Sequence, residues 1–522
     1  MKLSKENIET KAVRLHKQIR YIPEKNTTEK VIQFGEGNFL RAFINWIFSR
    51  LIDENLYDGS IVVVQPIKSG RIDAINEQGG ISTLIMRGYK DGTPSEEIEI
   101  VKGISRGINA YTQWEEVLKC AENPEITLVI SNTTEAGIVY DGSDKIDAAP
   151  PDTFPGKIVA YLYRRFKHFK GENTKGLIFL PCELNDKNGE LLKKTVLKLA
   201  ASWNMEPTFI EWIDKNNHFL NTLVDRTVTG YPEKEAAKLE KKLGYHDQLL
   251  NVCEMFYLWV IEDPLGLTAY LPFEKAGLNV KRVEDAAPYR ESKVRILNGG
   301  HTSSVPTAFL YGLDTVEEMM QHEVMGKYVR NVIYQEIIPS LDGDLAEQNK
   351  FADQVIKRFE NPLIRHNLSG ILLNSISKYA ARVIGSIEAY CNKFNEAPEI
   401  LSFSFAALIA FYRAGQINGD TILIPRGDEN ISIQDDAQSL AYFAKLWSEF
   451  NIGEKDIKSL VYDVLKNESL WGRDMSCLHG LTEKVAKGLQ DIIENGHKNA
   501  VDKVMNIISQ ASPVPVDLGC HL

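Results

Sequence analysis

Lys30-Val-Ile-Gln-Phe-Gly35-Glu-Gly37-Asn38-Phe39-Leu40-Arg41 joins a short apolar run to a two-glycine turn and the opening of a helical pattern. The apolar residues Phe39, Phe43, Trp46, Ile47 and Leu51 recur at helical spacing, which predicts a helix from about Asn38 to Asp53. In a strand–turn–helix context, glycines let the backbone approach a pyrophosphate. The helix start supplies unpaired N–H groups and the positive end of its dipole. Leu40 stands where a GxGxxG motif has its third glycine, so the same letters also fit a plain turn with no ligand.

The chain after this unit keeps alternating. Ile61-Val-Val-Val64, Ile126-Thr-Leu-Val-Ile130 and Gly176-Leu-Ile-Phe-Leu180 read as strands, and Gln113–Ala121 and Gly156–Lys170 as helices. Apolar runs without alternation suit strands covered on both faces. Together with intervening helices they predict a Rossmann-type α/β domain with a parallel sheet. Thr83–Arg87 and Glu97–Val101 flank Asp91-Gly92 and predict a hairpin. After about residue 285 the segments Val316–Ile338, Ala346–Phe359, Ile371–Phe394, Leu401–Ala414, Asp436–Phe450 and Thr482–Gln510 read as helices, and strand alternation is scarce. The expected organisation is a dinucleotide-binding domain over residues 1–285 and a mostly α-helical substrate-binding and catalytic domain over 286–522.

Composition narrows the function classes. A chain of 522 residues is long enough for two or three domains. A formal net charge of −11 disfavours nucleic acid and anionic membrane surfaces as partners. The six cysteines, at 120, 182, 253, 391, 477 and 520, form no paired motif, so neither a disulfide framework nor a zinc ribbon is expected. No run approaches the roughly 18 apolar residues of a membrane span. The opening Met1-Lys-Leu-Ser-Lys-Glu-Asn lacks the apolar stretch of a secretion signal. A cytoplasmic protein, monomeric or a small homo-oligomer, acting on a small molecule without a metal, is the expectation.

The cofactor candidates follow from the sheet. They are Phe34, Gly35, Gly37, Asn38 and Phe39 at the glycine turn, Gln65 at the end of the second strand, and Asn132 and Thr133 in Ser131-Asn-Thr-Thr-Glu-Ala-Gly137 after the next parallel strand. An acid at the end of the second strand normally holds the ribose 2′-hydroxyl of NAD. Here Gln65-Pro66 stands there, with Lys68 and Arg71 beyond: Gln65 could bind a hydroxyl, Lys68 or Arg71 a 2′-phosphate, and NAD versus NADP stays open from these residues.

Lys293-Val-Arg-Ile-Leu-Asn298-Gly-Gly-His301 gathers an amine, an amide and an imidazole. An amine among apolar neighbours can lose its proton and serve as a base. On an α-helix at about 100° per residue, His301 lies roughly 80° and Asn298 roughly 140° from Lys293. Asn-Gly-Gly also fits a turn carrying an exposed lysine. Competing patterns are weaker. Tyr163-x3-Lys167 has the spacing of a short-chain dehydrogenase but lies in a basic helical stretch, and no Cys/His cluster suggests catalytic zinc. A nucleotide-sensing module would account for the glycine turn and leave the Lys-Asn-His set unexplained.

Lys-x4-Asn-x2-His, preceded by a strand–GxG–helix unit, resembles the polyol-specific long-chain dehydrogenase/reductase family, which includes mannitol dehydrogenase. Gln33–Phe43, Ser131–Ile138, Thr222-Leu-Val-Asp-Arg226 and Trp259-Val-Ile-Glu-Asp263 resemble the branch acting on hexuronates, over about residues 30 to 480. The resemblance implies NAD-linked, metal-independent hydride transfer between C–OH and C=O. Lys293 would be the general acid/base, Asn298 an oxyanion donor, and His301 would position a substrate hydroxyl. Asp225 and Lys378 would contact substrate. Two departures point away from polyols: Leu184 replaces an asparagine donor, with Asn185 as a substitute, and Gly370 replaces an arginine. A hexuronate carboxylate needs cationic or donor-rich partners, for which His366, Lys378 and Arg382 are the candidates. The implied reaction interconverts a keto-hexuronate and an aldonate, in the altronate series ahead of the mannonate series, with polyol oxidation as the further alternative.

Overall fold

A computed structural model describes residues 1–11, 13–23, 27–90, 92–133, 137–413, 415–426 and 429–510. The chain divides into two compact units, Met1–Ala287 and Pro288–Leu522.

The first unit is built on six parallel strands. In spatial order they are Ile104–Asn109, Gly59–Gln65, Thr28–Phe34, Leu128–Ser131, Ile178–Pro181 and His218–Phe219. Counted along the chain this is 3-2-1-4-5-6, the Rossmann order. Successive side chains of one strand enter opposite layers. Val31, Ile61, Val63 and Ile130 join one buried cluster, and Ile32, Val62, Val64 and Val129 join another. Coverage on both faces is why these strands read as unbroken apolar runs. The expected Asn38–Asp53 helix is broken at Phe43 (φ −121°, ψ −77°) into Asn38–Ala42 and Ile44–Asp53.

The expected hairpin forms, with Lys90 opposite Thr93; Asp91 at its tip lies outside the described residues. It belongs to a five-stranded sheet that also holds Ile19–Arg20, Asn251–Glu254 and Val228–Gly230. A three-stranded sheet of Thr222–Asp225, Leu258–Glu262 and Val280–Val283 completes the unit.

The second unit is mostly helical around one large apolar cluster. Several expected helices are interrupted. Val316–Ile338 breaks at His322 (ψ 126°), whose imidazole caps Glu323–Asn331 by accepting the Met325 N–H. Ile371–Phe394 breaks at Asn374, which adopts φ +54°. Thr482–Gln510 breaks at Gly496, with φ +79°. The scarcity of strands is corrected by an antiparallel sheet of Gln416–Asn418, Thr421–Arg426 and Glu429–Gln434. Three stretches, Lys293–Gly299, Val332–Ile337 and Ala380–Ile384, are π-helical, with i→i+5 hydrogen bonding inside longer helices. Among the described residues no helix is long and apolar enough to cross a membrane.

Candidate active site

Lys293–His301 is neither a turn nor an ordinary α-helix. Lys293–Gly299 forms a π-helical turn that runs without a break into the helix Gly300–Tyr311. In an α-helix Lys293 and Asn298 would diverge by roughly 140°. An i→i+5 turn stacks residues five apart, so it brings these two onto one face. Ile296 and Leu297 are buried, while Lys293 and Asn298 are half-buried. The glycines are there for packing. A Cβ on Gly299 would lie 2.9 Å from the Arg382 carbonyl oxygen, and one on Gly300 would lie 3.0 Å from Ile333 Cδ1. Both neighbours belong to the other two π-turns, which therefore approach this segment through its glycine pair.

His301 begins the helix that follows. Its ring stacks on Phe359 at 3.8 Å between centroids and meets His366 edge-on at 5.5 Å. Burial holds its pKa well below the usual histidine value, and His366, Arg358 and Arg382 nearby push the same way. The imidazole is therefore neutral at physiological pH. Its Nε2 is buried without a hydrogen-bond partner among the described residues, which leaves one ring nitrogen available to a ligand hydroxyl. The helix is held from behind. Ser404 Oγ donates to the Ser303 carbonyl (2.6 Å), Tyr379 OH donates to Ser404 Oγ (3.2 Å), and His497 Nε2 bonds the Thr307 carbonyl (2.9 Å).

The three carboxylate-binding candidates gather near His301. Lys378 Nζ donates to the Ile371 carbonyl at 2.9 Å, and Arg382 Nη1 lies 3.5 Å from Thr302 Oγ1. Burial lowers the pKa of Lys378, and Arg382 adds to the effect while Asp435 opposes it. Burial, then Lys378, lowers that of His366. Gly370 leaves open space where a side chain would project. Two residues missed by sequence reasoning belong here. Arg358, one residue before Phe359, acts electrostatically on His301. Asp435 accepts the Ile376 N–H (3.3 Å) and the Tyr412 hydroxyl (2.5 Å), fixing the first turn of the helix Ser375–Tyr379 that carries Lys378. The aspartate reaches that helix from 57 residues further along the chain than Lys378, so no local pattern could have marked it.

In the first unit the glycine turn is tightly specified. Gly35 adopts φ +116°, and a Cβ there would meet the Asn132 carbonyl oxygen at 3.0 Å and Leu40 Cδ1 at 3.2 Å. Leu40 thus fills the space beside the turn, which is why no third glycine is needed. A Cβ on Gly37 would meet nothing within 4 Å. That open face over the turn fits a dinucleotide phosphate. Gln33 Nε2 donates to the Gly35 carbonyl (2.8 Å), and Asn45 Nδ2 to Gln33 Oε1 (2.8 Å), which pins the turn from below. Arg41 is buried, donating to the Glu36 carbonyl and to Asn38 Oδ1, both at 2.7 Å.

Several expected cofactor contacts are redefined. Phe34 directs its side chain into the core against Phe154 and Tyr161, so only its backbone borders the turn. Phe39 is half-buried and stacks on Phe43. Gln65 is buried, with its amide donating to the Ile67 and Lys68 carbonyls and its oxygen accepting the Ile72 N–H, so it organises its own loop. Asn132 Nδ2 donates to the Cys182 carbonyl (2.6 Å). Thr133 donates through its N–H and hydroxyl to Glu183 Oε1 at 2.9 and 3.0 Å, and Ser131 Oγ to Glu183 Oε2 at 3.0 Å. Glu183, with its carboxyl pKa raised by burial, fastens this loop; the sequence marks its segment only as the place of an oxyanion donor. Thr134, Glu135 and Ala136 lie outside the described residues. Leu184 is exposed and Asn185 half-buried. Asp225 ends its strand, buried, opposite Leu258. Of the Tyr163-x3-Lys167 pair, Tyr163 is half-buried against Phe209 and Lys167 is exposed and paired to Glu206.

The family model described as Mannitol dehydrogenase Rossmann domain matches residues 29–274, and the one described as Mannitol dehydrogenase C-terminal domain matches residues 285–493. An altronate oxidoreductase of Pectobacterium carotovorum is 43% identical over 485 residues, covering 92% of this chain and 98% of its own. One of Bacillus subtilis is 42% identical over 475 residues, covering 91% and 95%. Among solved structures, Pseudomonas fluorescens mannitol 2-dehydrogenase, in ternary complex with NAD and D-mannitol, superposes with a TM-score of 0.73 at 22% identity over 97% of this chain and 100% of its own. A substrate-free D-sorbitol dehydrogenase gives 0.78 at 22% identity over 96% and 100%. These two likenesses speak to the fold. On the family models and the curated relatives, the chain belongs to the mannitol dehydrogenase family of oxidoreductases acting on CH–OH groups.

Proposed function

We propose that the chain is an NAD-dependent tagaturonate reductase, interconverting D-tagaturonate and D-altronate. The observation that carries this reading is the π-turn that sets Lys293 and Asn298 on one face, next to a neutral His301 with an unpartnered Nε2 and a cluster of cationic side chains. The altronate oxidoreductases, matched over 95–98% of their length, support the choice of substrate.

A bound nicotinamide supplies hydride to the keto carbon. Lys293, as ammonium, gives its proton to the carbonyl oxygen as negative charge develops there. The Asn298 amide donates a hydrogen bond to that oxygen. His301 stays neutral and orients an adjacent hydroxyl through Nε2. In the oxidation direction Lys293 begins neutral and takes the hydroxyl proton. Lys378 and Arg382 hold the carboxylate that distinguishes a hexuronate from a polyol, with His366 as a further donor. Asp225 is retained as a substrate residue on the family resemblance. The dinucleotide is assigned to Gly35, Gly37 and Asn38 and to the loop of Asn132 and Thr133.

Initial rates with D-altronate, D-mannonate and D-mannitol, each with NAD and NADP, test the proposal. Altronate with NAD should give the highest kcat/KM. A preference for mannitol would overturn the hexuronate assignment, and a preference for mannonate the stereochemical one.

A further inference from the structure

We infer that Glu36, the residue between the two glycines of the turn, reads the cofactor's ribose and makes the protein select NAD(H) over NADP(H). The inference rests on the reading above that this turn holds a nicotinamide dinucleotide.

Rossmann domains commonly carry a carboxylate at the end of the second strand, where it accepts a hydrogen bond from the ribose 2′-hydroxyl. Here that strand ends in Gln65, whose amide is committed to the backbone of residues 67–72. A carboxylate nevertheless stands at the loop. A Cβ built on Gly70 would lie 2.0 Å from Glu36 Oε1 and 2.5 Å from Gln65 Oε1. The carboxylate of Glu36 also accepts the Arg71 backbone N–H. Glu36 therefore reaches from the end of the first strand to the loop after the second, and Gly70 is the residue that admits it. The acid has the usual place in space but comes from a different strand.

The surrounding charges define the selectivity. Lys68 and Arg71 are exposed on the same loop, with Lys68 placed 5.9 Å from the Tyr111 ring centroid. Alone, they would favour a 2′-phosphate. A carboxylate in the same loop repels that phosphate and accepts from a free hydroxyl. If its only role were to hold the Arg71 N–H, a glutamine would serve equally well, because the bond needs an acceptor and no charge. Burial raises the Glu36 carboxyl pKa, with the Arg41 charge opposing. The titrations are run at about pH 8, well above the usual carboxylate range.

The test is equilibrium binding of NADH and NADPH, read by nicotinamide fluorescence, to the intact protein and to Glu36→Gln. The unaltered protein should bind NADH at least about tenfold more tightly than NADPH, and Glu36→Gln should bring the two Kd values within about threefold of each other. Gly70→Ala is the second variant, because its Cβ displaces the carboxylate while leaving residue 36 unchanged. It should lose selectivity in the same direction. An unchanged Kd ratio in a Glu36→Gln protein of normal melting temperature would overturn the inference and leave the turn as a cofactor site. If Glu36→Gln does not fold, an unchanged ratio in Gly70→Ala overturns it. An unaltered protein that prefers NADPH overturns the inference and the NAD preference of the proposed reaction, while the turn remains a dinucleotide site. One that binds neither dinucleotide overturns the reading on which it rests.

Discussion

Two glycine pairs organise the two units, and they serve opposite physical ends. Gly35 is glycine because its backbone adopts φ +116° under the Asn132 carbonyl, while its partner Gly37 faces open space. Gly299 and Gly300 have ordinary helical dihedrals, with φ −67° and −57°. They are glycine because two other π-turns press on them. The first pair leaves open space over the turn, which the proposed function fills with a dinucleotide. The second removes side chains so that the chain can pack on itself and fix Lys293, Asn298 and His301. In the sequence the two pairs look alike, and only the surroundings tell a ligand cradle from a packing joint.

The largest effect should come from removing the chemistry that the second pair supports. Lys293→Ala should lower kcat for tagaturonate reduction by about a hundred- to ten-thousand-fold, the usual span for a general acid–base group. NADH affinity should stay within about twofold, because Lys293 is assigned to the substrate oxygen and the dinucleotide to the glycine turn. Stopped-flow reduction and fluorescence titration measure the two. Near-normal kcat would remove Lys293 from the mechanism.

Exchanging the two roles comes next. Gly299→Ala forces a Cβ against a backbone carbonyl and should cost about 1–3 kcal/mol of stability, as overpacking does. It should lower kcat by tilting the π-turn and leave the Kd for NADH alone. Gly35→Ala also costs about 1–3 kcal/mol, here through backbone strain at positive φ, but it should weaken NADH binding. Paired melting curves and NADH titrations separate them. If both variants changed the same parameter, the proposed division between cradle and joint would be wrong.

Gly37→Ala sharpens the first half of the contrast. Its φ of −64° suits any residue, and nothing in the chain lies near the added methyl group. Stability should change by less than about 0.5 kcal/mol, while the Kd for NADH rises. A variant that binds NADH normally would show that the open face at Gly37 holds no ligand.

What the sequence disclosed depended on how local the physics was. The parallel strands were legible because burial on both faces leaves unbroken apolar runs such as Ile61–Val64. The break at Phe43 and the three π-turns were not, because an i→i+5 bond has no residue signature and arises where helices jostle. Thr222–Asp225 and Asn251–Glu254 are four-residue strands, too short to show alternation. The Lys293–His301 set was visible as chemistry, but its geometry depended on Arg382 and Ile333, which approach the glycines from distant segments. Glu183 and Asp435 escaped notice for the same reason: each acts on backbone N–H groups far away in sequence.

The smallest effect should come from the support behind the second region, and its sign can be worked out. His497 bonds the Thr307 carbonyl, and burial pulls its pKa down to about 4 from the usual value near 6.5. Below about pH 6.5 the unfolded chain binds a proton at this residue and the folded chain does not. Stability is therefore complete above that pH and lost as pH falls towards 4, by at most about 3 kcal/mol from this group. Buried His301, with its pKa also depressed, adds loss in the same direction. His497→Gln can keep a donor to Thr307 but has no ionisation. Its melting temperature should therefore fall less steeply between pH 6.5 and 4.5 than that of the unaltered protein, while kcat at neutral pH stays close to normal. Parallel slopes would mean that the ionisation of His497 contributes nothing to the protein's acid sensitivity.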